Sequence, residues 1–189
     1  MYQALKNTLN NILEISDKDW ESFKAILVPL EVEKNGFILK KGQICKGIYF
    51  LEEGVVRTFY PKEGKEISLS FNFENDFLRE IESLTNNEAS KKYIQAIEKS
   101  RLILLAKDKL ISLYQHSPVF QELGRKILEQ STITEQKYSM LLAALPPKER
   151  YEHILEKYPE LIQRVPLQHL ASYLGISRES LSRIRKRIL

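Results

Sequence analysis

Apolar residues alternate with polar ones in short runs between residues 36 and 106, whereas on either side of that region they recur every three or four positions. The alternating runs are β-branched and separated by glycines, five of which lie within residues 36–64. This pattern is typical of short antiparallel strands. Two further runs, over 92–98 and 101–106, follow the polar segment TNNEASK. About seven strands therefore predict a small barrel or sandwich, preceded by helices within residues 2–28.

Helical periodicity returns after residue 107. A short helix is predicted over 107–116, because the residue before Pro118 avoids the α region. A long helix is then predicted from Val119 to Leu145, polar in its middle. It would span ~40 Å, which exceeds the surface of one small barrel. Half of its apolar stripe therefore requires either a second subunit or a longer contact with its own β region. We expect a homodimer interface at Phe120, Leu123, Ile127, Leu141 and Ala144.

Two consecutive prolines, Pro146 and Pro147, interrupt this helix and mark a domain boundary. A helix is predicted to begin at Pro147 and to end at Pro159. The segment LIQRV then connects it to Pro166. The predicted organisation is a β-rich domain over 1–117, a long helix over 118–145 and a helical domain over 146–189.

The last 24 residues, PLQHLASYLGISRESLSRIRKRIL, have the spacing of a helix-turn-helix. The motif requires a small residue in the first helix and a turn residue of positive φ, which Ala171 and Gly175 supply. Ser177 can accept a hydrogen bond at the start of the second helix, near Arg178. The side chains that we expect to face DNA are Ser177, Arg178, Glu179, Ser182, Arg183, Lys186 and Arg187. The alternative is an ordinary helical hairpin with a solvated basic face.

The distribution of charge favours DNA. The chain has 29 basic and 25 acidic residues, a net charge of +4, and the segment 177–189 alone holds five basic residues and one acidic residue. The rest of the chain is therefore balanced. A cationic patch on a neutral body is typical of a protein that binds nucleic acid, which makes double-stranded DNA the expected partner.

Other classes of protein lack support in the sequence. The single Cys45 excludes a disulfide framework and a cysteine-rich metal site. No apolar run approaches the ~20 residues of a membrane span, and the first residues do not form a signal peptide. The three histidines have no metal-ligand spacing, and neither a GxxxxGK loop nor a GxSxG motif occurs. We expect a cytoplasmic protein that is not an enzyme, with no catalytic residue, no metal site and no membrane partner.

A glycine-rich β domain, a long helix and a terminal helix-turn-helix together resemble the Crp/Fnr family of bacterial transcription regulators. The segment ISRESLSRI (176–184) is similar to the start of the family's recognition helix. The resemblance implies that Arg178, Glu179 and Arg183 read bases, since Arg can fork onto guanine and Glu can accept from cytosine.

The resemblance also implies an α+β fold. Its parts are an N-terminal cyclic-nucleotide-binding-like β-roll with flanking helices, a long dimerisation helix and a C-terminal all-α helix-turn-helix domain. The protein would act as a homodimer on a pseudo-palindromic site, with RNA polymerase as a further candidate partner.

The pocket departs from the family pattern. In members that bind cyclic AMP, a Gly-Glu pair and an Arg-Ser pair hold the nucleotide, whereas this chain has Arg79-Glu80 and Ser90-Lys91. A lysine lacks the bidentate grip of arginine on phosphate, and the Arg79 side chain would fill the space where the backbone approaches the ligand. Arg79, Glu80, Ser90 and Lys91 are thus the candidate ligand-binding residues. The sequence favours an unidentified small-molecule effector, or none, over cyclic AMP, and assigns no cofactor.

The sequence also ends at Leu189, where family members usually continue into a β-hairpin wing. Fewer phosphate contacts are expected as a result. The alternative function is a ligand-binding or protein-interaction module with a degenerate helix-turn-helix.

Overall fold

A computed structural model describes residues 2–188 of the 189-residue chain. It contains helices and strands in the order α1 (Gln3–Ile12), α2 (Asp17–Lys24), β1 (Leu27–Val32), β2 (Phe37–Leu39), β3 (Gly47–Glu53), β4 (Val56–Lys62), β5 (Lys65–Asn72), β6 (Phe77–Leu78), α3 (Ile81–Asn86), β7 (Tyr93–Ala96), β8 (Ser100–Ala106), α4 (Lys107–His116), α5 (Pro118–Ala144), α6 (Pro147–Lys157), α7 (Pro159–Arg164), α8 (Leu167–Tyr173) and α9 (Arg178–Ile188). In this part of the chain, no helix combines the length and the apolar character that crossing a membrane would require.

The strands form a β-roll of two four-stranded antiparallel sheets, ordered β1-β8-β3-β6 and β2-β7-β4-β5. This confirms the α+β class. Two strands, β1 and β6, were not predicted from the sequence. Residues 27 and 28 were expected to be helical but begin β1, which tolerates Pro29 because it lies at the edge of its sheet. Strand β6 is only two residues long and pairs with β3.

The N-terminal helices and the first part of α5 cover the outer face of the first sheet. Phe23 of α2 stacks on Phe120 of α5 with ring centroids 5.3 Å apart. Both belong to one buried cluster with Leu5, Leu9, Phe50, Ile103 and Leu123. The start of α5 is therefore held inside the core of its own chain.

The helices after α5 form a second core, which includes two residues of the β-roll. Its buried members are Val55, Ile97, Tyr151, Ile154, Leu161, Val165, Leu170, Ala171, Leu174 and Leu181. Helix α7 was not predicted, because Pro159 was read only as the end of α6. Proline is also favoured at the first position of a helix, and Pro159 occupies that position in α7.

The C-terminal helices dock on the β-roll through polar contacts as well as this shared core. The Ser172 hydroxyl accepts a hydrogen bond from the Ser68 N–H (3.0 Å) and donates one to the Glu66 carbonyl (2.8 Å). Arg164 pairs with Glu74 at 2.8 Å and with Glu98 at 2.7 Å. Helix α8 thus lies against β5 and fixes the orientation of α9.

Candidate nucleic-acid interface and ligand pocket

The turn between α8 and α9 has the geometry that the sequence predicts for a helix-turn-helix. Gly175 has a φ of +69°, a backbone conformation that residues with a side chain rarely adopt. Ala171 is buried where the two helices cross. The Ile176 N–H donates to the Ala171 carbonyl at 3.0 Å and closes the turn. The Ser177 hydroxyl accepts from the Ser180 N–H at 3.1 Å, so Ser177 caps α9 as predicted.

Arg150 of α6 supports this turn, which the sequence analysis did not foresee. Its guanidinium donates to the carbonyls of Leu174 (2.8 Å), Leu142 (2.7 Å) and Leu145 (2.7 Å). One side chain therefore ties the end of α5 to the end of α8. The sequence provided little indication of this contact, because an arginine in the segment KERY is typical of a helix face exposed to solvent.

The expected DNA-facing residues lie together on one face of α9. Arg178, Glu179, Arg183, Lys186 and Arg187 are exposed, and Ser182 is half-buried. Among the described residues, no carboxylate forms an ion pair with any basic side chain of α9. The positive charge is therefore available to an external anion such as a phosphate.

Glu179 is an acidic residue placed among these cations at the start of α9. Hydrogen bonds from its own backbone N–H and from the Ser177 hydroxyl lower the pKa of Glu179, and the nearby Arg178 and Arg183 lower it further. The carboxylate remains ionised and acts only as an acceptor. It can accept from a base or orient a neighbouring arginine.

The four candidate ligand residues do not converge on one site. The buried Glu80 carboxylate accepts from the Lys92 ammonium (2.7 Å) and from the Ser83 N–H (2.8 Å), so both of its oxygens are occupied within the chain. Burial has the largest single effect and opposes ionisation, but the hydrogen bonds and the positive charge of Lys92 together outweigh it and lower the pKa of Glu80. Glu80 is a helix cap with a fixed counter-ion.

Ser90 and Lys91 are also engaged elsewhere. The buried Ser90 hydroxyl accepts from the Lys92 N–H at 3.0 Å, and the Ser90 backbone bonds to the segment around Gln43. Lys91 is exposed and pairs with Glu82 at 3.2 Å. Ser90 therefore stabilises a turn and Lys91 forms a surface ion pair in this structure, and their assignment to a ligand pocket stays a prediction.

Arg79 does line open space, and it lies between two cavities. The first, about 330 Å³, lies between the second sheet and the middle of α5, where Ser131, Glu135 and Tyr138 contribute to its wall. The second, about 550 Å³, lies between α3, α4 and the first half of α5 and has mostly apolar walls. Within residues 2–188, no cluster of three or more His, Cys, Asp or Glu side chains could hold a metal ion.

The predicted dimer stripe on α5 is largely buried within the chain. Phe120 and Leu123 are 1% and 3% exposed, Ile127 packs on the same core, and Leu141 packs on the C-terminal core. Phe120 and Leu123 are therefore covered by their own chain, whereas Ile127 and Leu141 are half-buried, and the assignment of this stripe to a homodimer interface stays a prediction. Ala144 alone is exposed.

Comparison with known proteins agrees with this architecture. The family described as "Cyclic nucleotide-binding domain" matches residues 29–117. The structure is similar to FixK2 from Bradyrhizobium japonicum, with a TM-score of 0.71 and 16% identity over 86% of this chain and 84% of that chain. It is also similar to the c-di-GMP-responsive global regulator CLP from Xanthomonas campestris, with a TM-score of 0.70 and 20% identity over 92% of this chain and 91% of that chain.

A CRP/FNR-family transcriptional regulator from Thermus thermophilus is a further similar structure, with a TM-score of 0.66 and 20% identity over 85% of each chain. No curated protein sequence matches significantly. Residues 29–117 are therefore similar to a cyclic nucleotide-binding domain, and the chain as a whole shares its fold with solved structures of Crp/Fnr-family regulators.

Proposed function

We propose that the protein is a sequence-specific DNA-binding transcription regulator of the Crp/Fnr type. The observation that carries the proposal is the exposed face of α9, where Arg178, Glu179 and Arg183 form no ion pair with any described residue at the start of the helix. This is the part of a recognition helix that contacts base edges in the major groove. Lys186 and Arg187, further along, suit phosphates.

We further propose that it acts as a homodimer, through a face of α5 other than the one expected from the sequence. Ile133 is 45% exposed and Met140 is 71% exposed. They lie seven residues apart and so share a helix face, to which the exposed Ala144 also belongs. Pairing of this face about a two-fold axis would present two α9 helices to half-sites about one helical turn apart.

Cyclic AMP is not required for DNA binding in this proposal. The side chain of Arg79 occupies the position of the family's glycine, and Glu80 is held by Lys92 at 2.7 Å instead of being free for a ribose hydroxyl. Calorimetric titration with cyclic AMP and cyclic GMP is expected to give no binding at micromolar concentrations. Micromolar binding accompanied by tighter DNA binding would overturn this part of the proposal.

A binding assay on genomic fragments at two salt concentrations tests the proposal as a whole. Enrichment of particular fragments, with affinity falling steeply as salt rises, is expected because counterions are released from the DNA. A protein-interaction module with a degenerate helix-turn-helix would retain no fragment preferentially at either salt concentration.

A further inference from the structure

The second cavity is a groove without a role in the proposed function. Its floor is the apolar core beneath α4 and α5, including Leu9, Phe23 and Phe120. Its rim carries three large apolar side chains that are 43–46% exposed, namely Ile81, Ile111 and Leu128. Exposed apolar residues clustered around a concave apolar surface are typical of a site for an apolar group.

Arg79 supplies a cation at the wall of this groove. No described carboxylate lies within ion-pair distance of its guanidinium, which makes a single long hydrogen bond of 3.3 Å to the Ser131 hydroxyl. Its buried Nε has no hydrogen-bond partner within the described residues. Burial lowers the pKa of Arg79, although Glu135 opposes that effect through space. A half-buried guanidinium in this state is stabilised by an anion that it can contact.

Tyr114 places a hydroxyl in the same groove. A Cβ at position 124 would lie only 2.8 Å from the Tyr114 hydroxyl oxygen, so the phenol fits against α5 because residue 124 is glycine. Glycine is unfavourable inside a helix, and here it makes room for this side chain. Burial raises the pKa of Tyr114, so the hydroxyl remains a donor. It makes no hydrogen bond to any described residue.

The other cations of the groove already have partners within the chain. Lys107 donates to the carbonyls of Leu84 and Thr85 at the end of α3. Arg125 pairs with Glu122 and Glu129 on its own helix. Arg79 is therefore the cation of the groove that has neither an ion pair nor carbonyl acceptors among the described residues, and a single guanidinium of this kind suits a monoanion.

We propose that this groove binds an amphipathic monocarboxylic acid, with its carboxylate on the Arg79 guanidinium and the Tyr114 hydroxyl and its apolar chain along the floor. A planar carboxylate can accept from both donors, as guanidinium–carboxylate pairs commonly do. The identification of this ligand as the effector rests on the proposed function, but its binding can be measured without DNA.

Isothermal calorimetry with decanoate, below its micellar concentration, tests the proposal. Saturable binding of one decanoate per chain is expected, and 1-decanol, which keeps the chain but lacks the charge, should bind at least tenfold more weakly. The ring centroid of Trp20, the only tryptophan, lies 6.1 Å from that of Phe23 in the groove floor, so its fluorescence should change with the same saturation. Absence of saturable decanoate binding, or equal affinity for decanol, would overturn the proposal.

Two arginine variants separate the site from non-specific attraction. Arg79→Gln should weaken decanoate binding at least tenfold and leave decanol binding unchanged, whereas Arg125→Gln, with the same charge change at the same groove, should leave both unchanged. Tyr114→Phe, which removes only the hydroxyl, should weaken decanoate binding to a smaller extent. Equal effects of the Arg79 and Arg125 variants would contradict the assignment. Because no DNA is present, a failure of the DNA-binding proposal would leave these results intact.

Discussion

The guanidinium of Arg57 in the β-roll lies 2.8 Å from Nδ1 of His169 in the helix-turn-helix. Arg57 is only 3% exposed and also bonds to Gln95 and Glu66. A guanidinium can only donate, so His169 accepts at Nδ1 and carries its proton on Nε2. The neutral imidazole thus joins helix α8 to strand β4 of the β-roll.

Acidification is expected to weaken this docking. Burial lowers the pKa of His169 below its ordinary value of 6.5, Arg57 lowers it further, and Glu66 opposes the shift. Because the undocked chain takes up the proton first, the stabilisation is present above about pH 6.5 and is lost as the pH falls from there toward the docked pKa. The hydrogen-exchange protection factors of α8, which correct for the slower intrinsic exchange in acid, should fall as the pH is lowered from 7.5 to 5.5. His169→Gln should reduce that dependence, and an unchanged slope would contradict the assignment.

Arg164 should contribute more to stability than a surface ion pair does. It pairs with Glu74 and Glu98 while only 26% exposed, so Arg164→Met is expected to lower the free energy of unfolding by about 1–3 kcal/mol. The matched change Lys157→Met breaks an exposed pair with Glu156 and should have no measurable effect. Chemical denaturation measures the free energy of unfolding of both variants and of the wild-type protein.

The same ion pair predicts a dependence on acid. Hydrogen bonding from Arg164 lowers the pKa of Glu74 to about 2. Its stabilisation is therefore complete above the ordinary carboxyl pKa and is lost as the pH falls toward 2. The Arg164→Met variant should lose less stability than the wild-type protein over that range.

Base reading and phosphate contact are expected to separate along α9. Arg178→Ala should cost ~1–3 kcal/mol on the preferred sequence and relax preference at one position, because a bidentate contact with a base is lost. Lys186→Ala should weaken binding to all sequences alike and reduce the salt dependence. Fluorescence anisotropy on specific and random duplexes measures both. Equal losses on both duplexes for the two variants would refute the assignment.

The dimer face can be distinguished from the buried stripe by two substitutions on α5. Met140→Asp, at a 71% exposed position, should give a folded monomer in sedimentation experiments. Ile127→Asp should instead lower the melting temperature, because Ile127 packs on the core of its own chain. A Met140→Asp variant that remains dimeric would show that another surface is used.

The helix-turn-helix was predictable because its signals are local. A small residue, a turn glycine, a capping serine and a basic face lie within the last 24 residues, and the structure has Gly175 at φ +69° and Ser177 at the cap. The long helix was predictable for the same reason: its periodicity and its proline boundaries are adjacent in sequence. The combination of strands and helices was predictable because apolar residues alternate within 36–106 and recur every three or four positions on either side.

Tertiary structure decided which surfaces remain available. An apolar stripe specifies that a helix face is buried but does not specify what covers it, and for α5 the cover is Phe23 at one end and the C-terminal helices at the other. Tertiary structure also decided which candidate ligand residues keep an unpaired charge. Glu80 pairs with Lys92, whereas Arg79 has no ion-pair partner among the described residues. Arg57 and His169 are 112 residues apart in sequence, so only the folding of the whole chain brings them together.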